Sequence, residues 1–380
     1  MNKFKYLTLG ILSTVVSTSV LVSCGQTNKI NDNQTKTVND YNSPESVVYN
    51  QRWLANVWNS VSAEKDAMTL NLYNSAKKQF DAMIKQEVFD TNKITVENDK
   101  IKINNPEAGK AIPVVFMDID ETILNNFAFQ NYLVLNNKMF NPQIWNQFVQ
   151  DAQAKEIKGA FDFIRYVWSK GGVVMFNSNR EQENQKTPTL NNLVNEGLDK
   201  KYLPDFVWWM QGVDLTKTDP WNHIKKENNK RVKSEKEERM NFINEHTQGF
   251  DLSSYSQSGN AVVFKTVMRI GDNYNDFNDI AIGTKLNKDR NKLLQDNGKL
   301  FGNFDIKVKG IKYKKQADKT VVKVDETWSE SYVLIGGNAS YGGFESALDN
   351  NYYSLDKPKQ TKALKEALQT LSWNPKVNES

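Results

Sequence analysis

The chain has 380 residues, 39% of them hydrophobic and 25% charged, which is enough for one large domain or two modest ones with a packed core. A formal net charge of +4 is too balanced to indicate a surface that binds a nucleic-acid polymer. The single cysteine excludes an intramolecular disulfide. The two histidines, His223 and His246, lie in no recognisable motif, which disfavours a Ser-His-Asp hydrolase or a histidine-rich zinc site, and we expect structural or surface roles for both.

The first 23 residues have the layout of a secretory signal peptide, with a short basic start and an apolar run, Tyr6 to Leu21, that is short for a membrane span. Cys24 follows Leu21-Val22-Ser23, a pattern that resembles the lipobox of bacterial lipoproteins. We therefore predict a lipid on Cys24 and a protein anchored on the extracellular face of the cell membrane. A plain signal peptide and an uncleaved anchor are the alternatives. Residues 24–43 are almost free of apolar side chains and predict a flexible tether.

Residues 44–110 are predicted to form an N-terminal helical segment. Apolar residues recur at three- and four-residue spacing between Trp53 and Phe80, which predicts two amphipathic helices with an aromatic stripe that faces the core. Ser62 followed by Glu64 is typical of a helix start. The polar residues 91–110 are expected to form a connection into the next element.

The core of the protein is predicted over residues 111–350, and its first element is a short apolar strand over 114–117. This strand runs directly into Asp118 and Asp120. Two carboxylates at the end of a buried strand are costly unless they hold a cation or do chemistry. A helical insert at about 125–170 is expected next.

Two further strands end in polar side chains. A strand over 173–176 leads to Ser178, and a strand over 261–270 leads to Asp272, with Asp276 close behind. Because ligands of open α/β sheets bind at the carboxyl ends of the strands, these side chains are expected to share one site. Gathered carboxylates favour a hard cation, and Mg²⁺ binds through carboxylates together with substrate phosphate and water. The pattern therefore indicates phosphoryl-transfer chemistry.

The remaining segments carry weaker signals, and no structure is predicted for residues 200–232. A charged helix that carries Lys236 is expected over 234–244, and an exposed loop over 248–260. A short strand is expected over 304–308, with a Lys-rich segment over 307–323. A C-terminal helix and tail are expected over 351–380, with the helix at about 361–371.

These motifs resemble those of the haloacid dehalogenase superfamily, and more closely one branch, the class C nonspecific acid phosphatases of the lipoprotein e family. The branch carries Asp-Ile-Asp-Glu-Thr-x-Leu-Asn/Asp-Asn, Ser-Asn-Arg, Lys-x-x-Arg and Gly-Asp-Asn-x-x-Asp-Phe. The matching segments are Asp118–Asn126, Ser178–Arg180, Lys236–Arg239 and Gly271–Phe277. The resemblance covers roughly residues 50–350, and it implies a Rossmann-like α/β fold with a parallel-sheet core and a smaller helical subdomain.

The resemblance also implies roles in hydrolysis of phosphate monoesters. Asp118 is the implied nucleophile, which becomes an aspartyl-phosphate, and Asp120 is the implied general acid and base. Mg²⁺ is the implied cofactor, held by the carboxylates of Asp118 and Asp272 and the backbone carbonyl of Asp120, with support from Asp276.

Ser178 and Lys236 are implied to hold the transferring phosphoryl group, with Lys233, one helical turn earlier, as an alternative to Lys236. In this branch, aromatic residues near the site stack on a nucleobase or aryl group, and Trp145 and Tyr341 are the candidates here. The sequence favours a packing role for both residues as much as a stacking role. The substrate therefore stays open between nucleoside 5′-monophosphates and other small phosphate esters.

Two other functions compete with this interpretation. The first is a non-catalytic surface-binding lipoprotein, an adhesin or solute receptor on a phosphatase scaffold, which the complete set of catalytic residue types disfavours. The second is phosphotransfer to an acceptor other than water, which the predicted location outside the cell disfavours. The sequence does not determine the oligomeric state.

Overall fold

The architecture is that of a mixed α/β protein built on a five-stranded central sheet. The computed structural model describes residues 44–97, 100–136, 138–254, 261–278, 286–296, 301, 306–318, 320–336, 348–349 and 351–371. The predicted signal peptide, Cys24, the tether and Tyr341 lie outside these residues.

The strands fall into the central sheet and three small two-stranded sheets. They are β1 (Ile94–Glu97), β2 (Lys100–Ile103), β3 (Ile112–Met117), β4 (Leu124–Asn125), β5 (Lys155–Glu156), β6 (Val173–Phe176), β7 (Lys226–Glu227), β8 (Lys230–Arg231), β9 (Phe264–Gly271), β10 (Ile306–Lys315) and β11 (Val321–Leu334).

The α-helices among the described residues are α1 (Pro44–Val61), α2 (Ala63–Met83), α3 (Phe127–Leu135), α4 (Pro142–Asp151), α5 (Ala160–Ser169), α6 (Gln182–Asn195), α7 (Lys236–Glu245), α8 (Asn287–Asp296) and α9 (Lys357–Leu371). None of the described helices is both long enough and apolar enough to cross a membrane.

The central sheet has the strand order β10-β11-β9-β3-β6. Strand β3 pairs in parallel with β6 and β9, β11 pairs in parallel with β9, and β10 is antiparallel to β11. All six residues of β3 are buried, as a strand covered on both faces requires. Met117 is level with Phe176 on one side and Ile270 on the other, so the three strands end at one edge. The predicted α/β class with a mostly parallel sheet is confirmed.

A right-handed crossover is the expected connection between the parallel strands β3 and β6, and α5 packs against β6 within it. The helix ends before Gly171, which has φ +79°. A Cβ at this position would lie 1.8 Å from the carbonyl oxygen of Thr91, so the tight turn into β6 requires glycine.

Helix α2 ties the N-terminal segment to the sheet. It begins as predicted after Ser62, whose Oγ accepts a hydrogen bond from the Lys65 amide at 3.2 Å. Tyr73 and Phe80 are buried on its inner face. The Tyr73 hydroxyl donates to the carbonyl oxygen of Thr122 at 2.7 Å, so this helix supports the loop that follows β3.

The aromatic stripe on α1 does not face the core, and that prediction was wrong for this helix. Trp53, Val57 and Val61 are exposed, whereas Asn56 and Asn59 are buried. Helix α1 packs mainly on α3 and α9 rather than on the sheet, so only one side of it is covered. Helical periodicity identifies a stripe but not which neighbour, if any, covers it.

Two hairpins stand where the sequence predicted irregular or short structure. Strands β1 and β2 form one within the expected connection 91–110. The Lys-rich segment forms the other, because β10 and β11 pair over ten residues as an antiparallel ribbon at the sheet edge. The predicted strand at 304–308 is therefore too short, because β10 continues to Lys315; residues 302–305 lie outside the described residues. Lys307 and Lys309 are exposed, while Ile306 and Val308 between them are half-buried, as alternation along a strand requires.

The segment 200–254 contributes to the core. Trp208, Trp209 and Trp221 are buried, and the Trp209 amide donates to the carbonyl oxygen of Phe176 at 2.8 Å, beside the outer edge of β6. Phe250 and Leu252 are also buried, so the prediction of an exposed loop is wrong for its first part. Residues 255–260 lie outside the described residues.

Candidate active site

The site lies at the edge where β3, β6 and β9 end. The amide of Asp118 donates to the Ile270 carbonyl oxygen at 2.9 Å, and the amide of Asn177 donates to the Met117 carbonyl oxygen at 2.8 Å. These bonds continue the sheet ladders one residue past β3 and β6. They bring the first, second and fourth predicted motifs to adjacent positions, as the parallel arrangement requires.

Three of the predicted site residues form a carboxylate cluster. One oxygen from each of Asp118, Asp272 and Asp276 lies within 4.8 Å of the others. Carboxylate oxygens at this spacing suit a hard divalent cation, so this donor set fits a metal ion. The carboxylate of Asp120 is not in the cluster, and its predicted contribution to the metal was a backbone oxygen only.

Gly271 leaves the space that the Asp276 side chain occupies in the cluster. A Cβ on Gly271 would lie 2.2 Å from the Asp276 Cβ and from one of its carboxylate oxygens. A side chain there would push Asp276 out of the cluster. Asp276 is also held from the other side, because its Oδ2 accepts a hydrogen bond from the Asn273 amide at 2.9 Å.

Lys236, at the start of α7, bridges two of these carboxylates. Its Nζ lies 2.5 Å from Oδ1 of Asp118 and 2.7 Å from Oδ1 of Asp276, and its side chain is buried. Lys233, the alternative from the sequence, is exposed. The structure thus brings Lys236 rather than Lys233 into the site.

Burial and charge shift the protonation of this cluster. Burial raises the pKa of Asp118 to about 7, with Asp276 and Asp120 adding to the rise and Lys236 opposing it. Burial, reinforced by Asp276 and Asp118, raises the pKa of Asp272 well above its ordinary value. Burial opposes the charge of Lys236, but Asp118 and Asp276 outweigh it and raise the Lys236 pKa. One ammonium therefore faces more carboxylates than it can neutralise.

Asp120 has a separate environment. Its Oδ1 accepts hydrogen bonds from Nε and Nη2 of Arg180 at 2.9 and 2.7 Å, and from Nδ2 of Asn126 at 2.8 Å. Its side chain is 26% exposed, whereas that of Arg180 is 1% exposed. Ser178 is fully buried, and its Oγ accepts a hydrogen bond from the Arg180 amide at 3.1 Å.

Arg239 joins α7 to the end of β6. Its Nε donates to Oδ1 of Asn177 at 2.7 Å, and its Nη2 donates to the Ser178 carbonyl oxygen at 3.3 Å. Asn177 in turn donates from Nδ2 to the Lys236 carbonyl oxygen at 3.0 Å. This buried network fixes the Ser178 and Lys236 backbones relative to each other.

Trp145, a predicted substrate-stacking residue, lies half-buried on α4. Its ring centroid is 5.2 Å from that of Phe129 and 5.7 Å from that of Phe148. The guanidinium of Arg180 lies 5.4 Å from the same ring. Trp145 thus covers Arg180, which is a packing role that leaves the stacking prediction untested.

The two histidines lie in other surroundings. His246 is half-buried and stacks on Phe250 with centroids 4.1 Å apart, and His223 is exposed with Nε2 3.0 Å from Asp219.

Sequence reasoning assigned no role to four polar residues that hold this site together: Asn126, Asn177, Arg180 and Arg239. Each belongs to a quoted motif or directly precedes one. The available signal was their position, because polar side chains next to buried strand ends need partners, and the nearest polar groups belong to the other motifs. The assembled site offers a carboxylate nucleophile, a separate proton-transfer carboxylate and cationic groups for an oxyanion.

Comparison with known proteins points in the same direction. The family model described as HAD superfamily, subfamily IIIB (Acid phosphatase) matches residues 34–298. The structure of the class C acid phosphatase from Bacillus anthracis is similar at 21% identity, with a TM-score of 0.56, covering 86% of this chain and 99% of that one. The crystal structure of the same protein with tungstate bound is similar at 20% identity, with a TM-score of 0.55 and the same coverage. At these identities, the likeness to the solved structures establishes the fold.

Proposed function

Because this chain belongs to the acid phosphatases of HAD subfamily IIIB, and is therefore a phosphoric monoester hydrolase, we propose that it is a Mg²⁺-dependent phosphatase that works through an aspartyl-phosphate. The observation that carries the proposal is the cluster of Asp118, Asp272 and Asp276 around the Lys236 ammonium. Three carboxylate oxygens within 4.8 Å of one another are a donor set that a bound divalent cation would suit.

Asp118 is the proposed nucleophile. One of its oxygens attacks phosphorus, and the bond between phosphorus and the ester oxygen breaks. Asp120 gives a proton to the departing alcohol and then takes one from the water that hydrolyses the aspartyl-phosphate. The separate environments of the two carboxylates support this division, because Asp118 contacts Lys236 and Asp120 contacts Arg180.

Ser178 and Lys236 are the proposed ligands of the transferring phosphoryl group. Ser178 follows β6, the neighbour of β3, and Lys236 already contacts the proposed nucleophile at 2.5 Å. An ammonium and a hydroxyl can hold two of the phosphoryl oxygens in line for attack.

Mg²⁺ is the proposed cofactor, held by the carboxylates of Asp118, Asp272 and Asp276 and by the backbone carbonyl of Asp120. When bound, it would keep Asp118 ionised and neutralise charge on the phosphoryl group. The oxygen-only donor set favours Mg²⁺ over softer metals, which prefer nitrogen and sulfur ligands.

Nucleoside 5′-monophosphates and similar small esters are the proposed substrates, with Trp145 and Tyr341 as the proposed stacking residues. The proposed location is the extracellular face of the cell membrane, with a lipid on Cys24 as the anchor. The pattern of the first 24 residues supports this location.

The test of the activity is turnover by residues 25–380 on p-nitrophenyl phosphate and on nucleoside monophosphates, with Mg²⁺ or with a chelator, beside Asp118→Asn. The proposal predicts turnover that requires the metal and is lost in the variant. Turnover that survives either the chelator or the substitution contradicts it. No turnover on any phosphate ester would favour a binding lipoprotein instead.

The anchor has a separate test. The full-length protein should enter the detergent phase of a phase-separation experiment, and Cys24→Ser should leave it. Retention of the variant in the detergent phase would mean that something other than a lipid on Cys24 holds the protein there.

A further inference from the structure

We infer that Arg180 is a positioning residue that fixes the proton-transfer carboxylate Asp120 in the orientation needed to protonate the leaving group. This inference rests on the proposed function, because it assigns Arg180 a role through Asp120. Arg180 is buried and has no other role in the proposed mechanism.

The first observation is that a single oxygen of Asp120 accepts all of its hydrogen bonds from Arg180 and Asn126. Oδ1 of Asp120 accepts three hydrogen bonds, two from Arg180 and one from Asn126. Two of these donors belong to a guanidinium, which presents them in a fixed fork. Three donors on one oxygen fix the orientation of the whole carboxylate.

The second observation is that the fold holds Arg180 itself in place. Its Nη1 donates to Oγ1 of Thr189 at 2.9 Å, and its Nη2 donates to Oδ1 of Asn126 at 3.1 Å. Trp145 covers one face of the guanidinium at 5.4 Å. Both Thr189 and Trp145 lie on helices, so the fork is anchored to α6 and α4 rather than to a loop.

The third observation is the difference in exposure. The Asp120 side chain is 26% exposed and that of Arg180 is 1% exposed. An aspartate at the rim of a site has rotamers that point into solvent, where it would hold no proton near the ester oxygen. The buried arginine donates to Asp120 from two of its nitrogens, and it thereby removes that rotational freedom from the aspartate.

If Arg180 has this role, the activity lost on replacing it should depend on which alcohol leaves. An alkoxide needs a proton as the phosphorus–oxygen bond breaks, whereas a dinitrophenolate leaves without one. A general acid contributes roughly 10²–10⁴-fold where protonation is needed. If Arg180 had only a structural role, its replacement would lower the rates of both reactions by the same factor.

The experiment is to measure kcat/KM of Arg180→Met on an alkyl phosphate and on 2,4-dinitrophenyl phosphate, with Mg²⁺ present. We expect a loss of roughly 10²-fold or more on the alkyl ester, of the order that a lost general acid produces, and a several-fold smaller loss on the dinitrophenyl ester. Arg180→Lys keeps the charge but not the fork, and it should show the same selective loss to a smaller degree.

The matched control is Arg269→Met, which removes a second buried arginine, from β9. Arg269 pairs with Glu330, and its Nη1 donates to the carbonyl oxygen of Phe277. Its loss should change the two reactions by equal factors. Equal losses on both esters in Arg180→Met and Arg180→Lys, matching this control, would overturn the inference.

Asp120→Asn separates the inference from the function on which it rests. If Asp120 is the general acid, this variant shows the leaving-group pattern whatever Arg180 does. The double variant Asp120→Asn/Arg180→Met should then be no more selective than Asp120→Asn alone. Selectivity in Asp120→Asn without any in the arginine variants would contradict the inference and leave the proposed function intact. No selectivity in Asp120→Asn would contradict the proposed acid.

Discussion

Two sets of charges, one within the central sheet and one at its carboxyl edge, have different partners. Between β9 and β11, Arg269 contacts Glu330 at 2.7 Å and Lys265 contacts Glu326, so each cation of β9 faces a carboxylate of β11; Lys312 of β10 also contacts Glu326, at 2.9 Å. At the carboxyl edge, three carboxylates lie close together, and the Lys236 ammonium contacts two of them, Asp118 and Asp276. We call the first set the balanced pairs and the second the carboxylate cluster.

The balanced pairs give each cation of β9 a carboxylate partner within the fold, although burial, with Lys312 adding to it, lowers the pKa of Lys265 to about 8. They explain how β9 can carry a lysine and an arginine while all eight of its residues are buried. In the carboxylate cluster, burial and the neighbouring carboxylates raise the pKa values of Asp118 and Asp272. Carboxyl groups whose pKa values are shifted by burial and by nearby like charges are characteristic of a ligand or catalytic site.

The largest expected effect is on activity in the carboxylate cluster. Lys236→Met should lower kcat/KM on p-nitrophenyl phosphate by roughly 10²–10³-fold, the typical cost of losing one group that stabilises transition-state charge. Lys233→Met is the matched control, since this lysine lies three residues before the start of α7 and is exposed, and it should retain activity within about 2-fold. The reverse result would assign the phosphate contact to Lys233.

The next effect is on stability in the balanced pairs. Arg269→Met leaves Glu330 buried without its charged partner, and it should lower the free energy of unfolding in urea by about 3–5 kcal/mol. The turnover of the folded protein should stay near that of the wild type. Arg269→Met/Glu330→Leu removes both charges and should recover much of the loss. A further loss of stability in this double variant would contradict the description of the pair as self-contained.

The carboxylate cluster should also show a characteristic dependence on pH and metal. In chelator, the pKa of Asp118 is about 7 in the folded protein, against an ordinary value of 3.8. Between these values, the folded state keeps a proton that the unfolded chain has lost. The wild type should therefore lose stability relative to Asp118→Asn as the pH rises towards about 7, with no further change from this group above it.

Saturating Mg²⁺ should reverse that trend. Protons and metal compete for Asp118, so binding strengthens as the pH rises. At 100 times its dissociation constant, a ligand that binds only the folded state adds about 2.7 kcal/mol to the free energy of unfolding. Melting curves at several pH values, with Mg²⁺ and with chelator, measure both effects. Stabilisation by Mg²⁺ that is equally large in Asp272→Asn would contradict a metal site in this cluster.

The smallest expected effect concerns the support of the loop after β3. Tyr73→Phe removes the 2.7 Å hydrogen bond to the Thr122 carbonyl oxygen and keeps the ring in the core. It should cost about 1 kcal/mol of unfolding free energy in urea. Because Thr122 lies two residues after Asp120, we also expect a few-fold loss of kcat. Unchanged stability and turnover would mean that α2 does not support this loop.

The edge that carries the site was predictable from the sequence because three local signals coincide there. Each is a short apolar run that ends in a polar residue, namely Asp118, Ser178 or Asp272, and parallel strands align such ends. Only short-range pattern and a topological rule are needed. The position of Arg180 and Arg239 in the motifs was an available signal, but their individual hydrogen bonds were not predictable, since they join motifs that are distant in the chain.

The antiparallel pair of β10 and β11 was mispredicted because its signal is not local. Its strand β10 alternates Lys307 and Lys309 with Ile306 and Val308, but the density of lysines resembles a solvated segment. The compensating carboxylates, Glu326 among them, come after the turn. The pairing across that turn shows why β9 remains buried although it carries charged residues. A sequence window that contains only one strand cannot reveal this pairing.

The most direct test of the carboxylate cluster is to trap the phosphorylated enzyme. Asp120→Asn with 2,4-dinitrophenyl phosphate and Mg²⁺ should let the first step proceed, because this leaving group needs no proton, while the water attack that Asp120 assists is slowed. Rapid quenching should give a burst of about one dinitrophenolate per enzyme, and peptide mass spectrometry should place the phosphoryl group on Asp118. A phosphoryl group on another residue, or slow turnover with neither burst nor labelled peptide, would contradict the central claim that Asp118 in this cluster is the nucleophile.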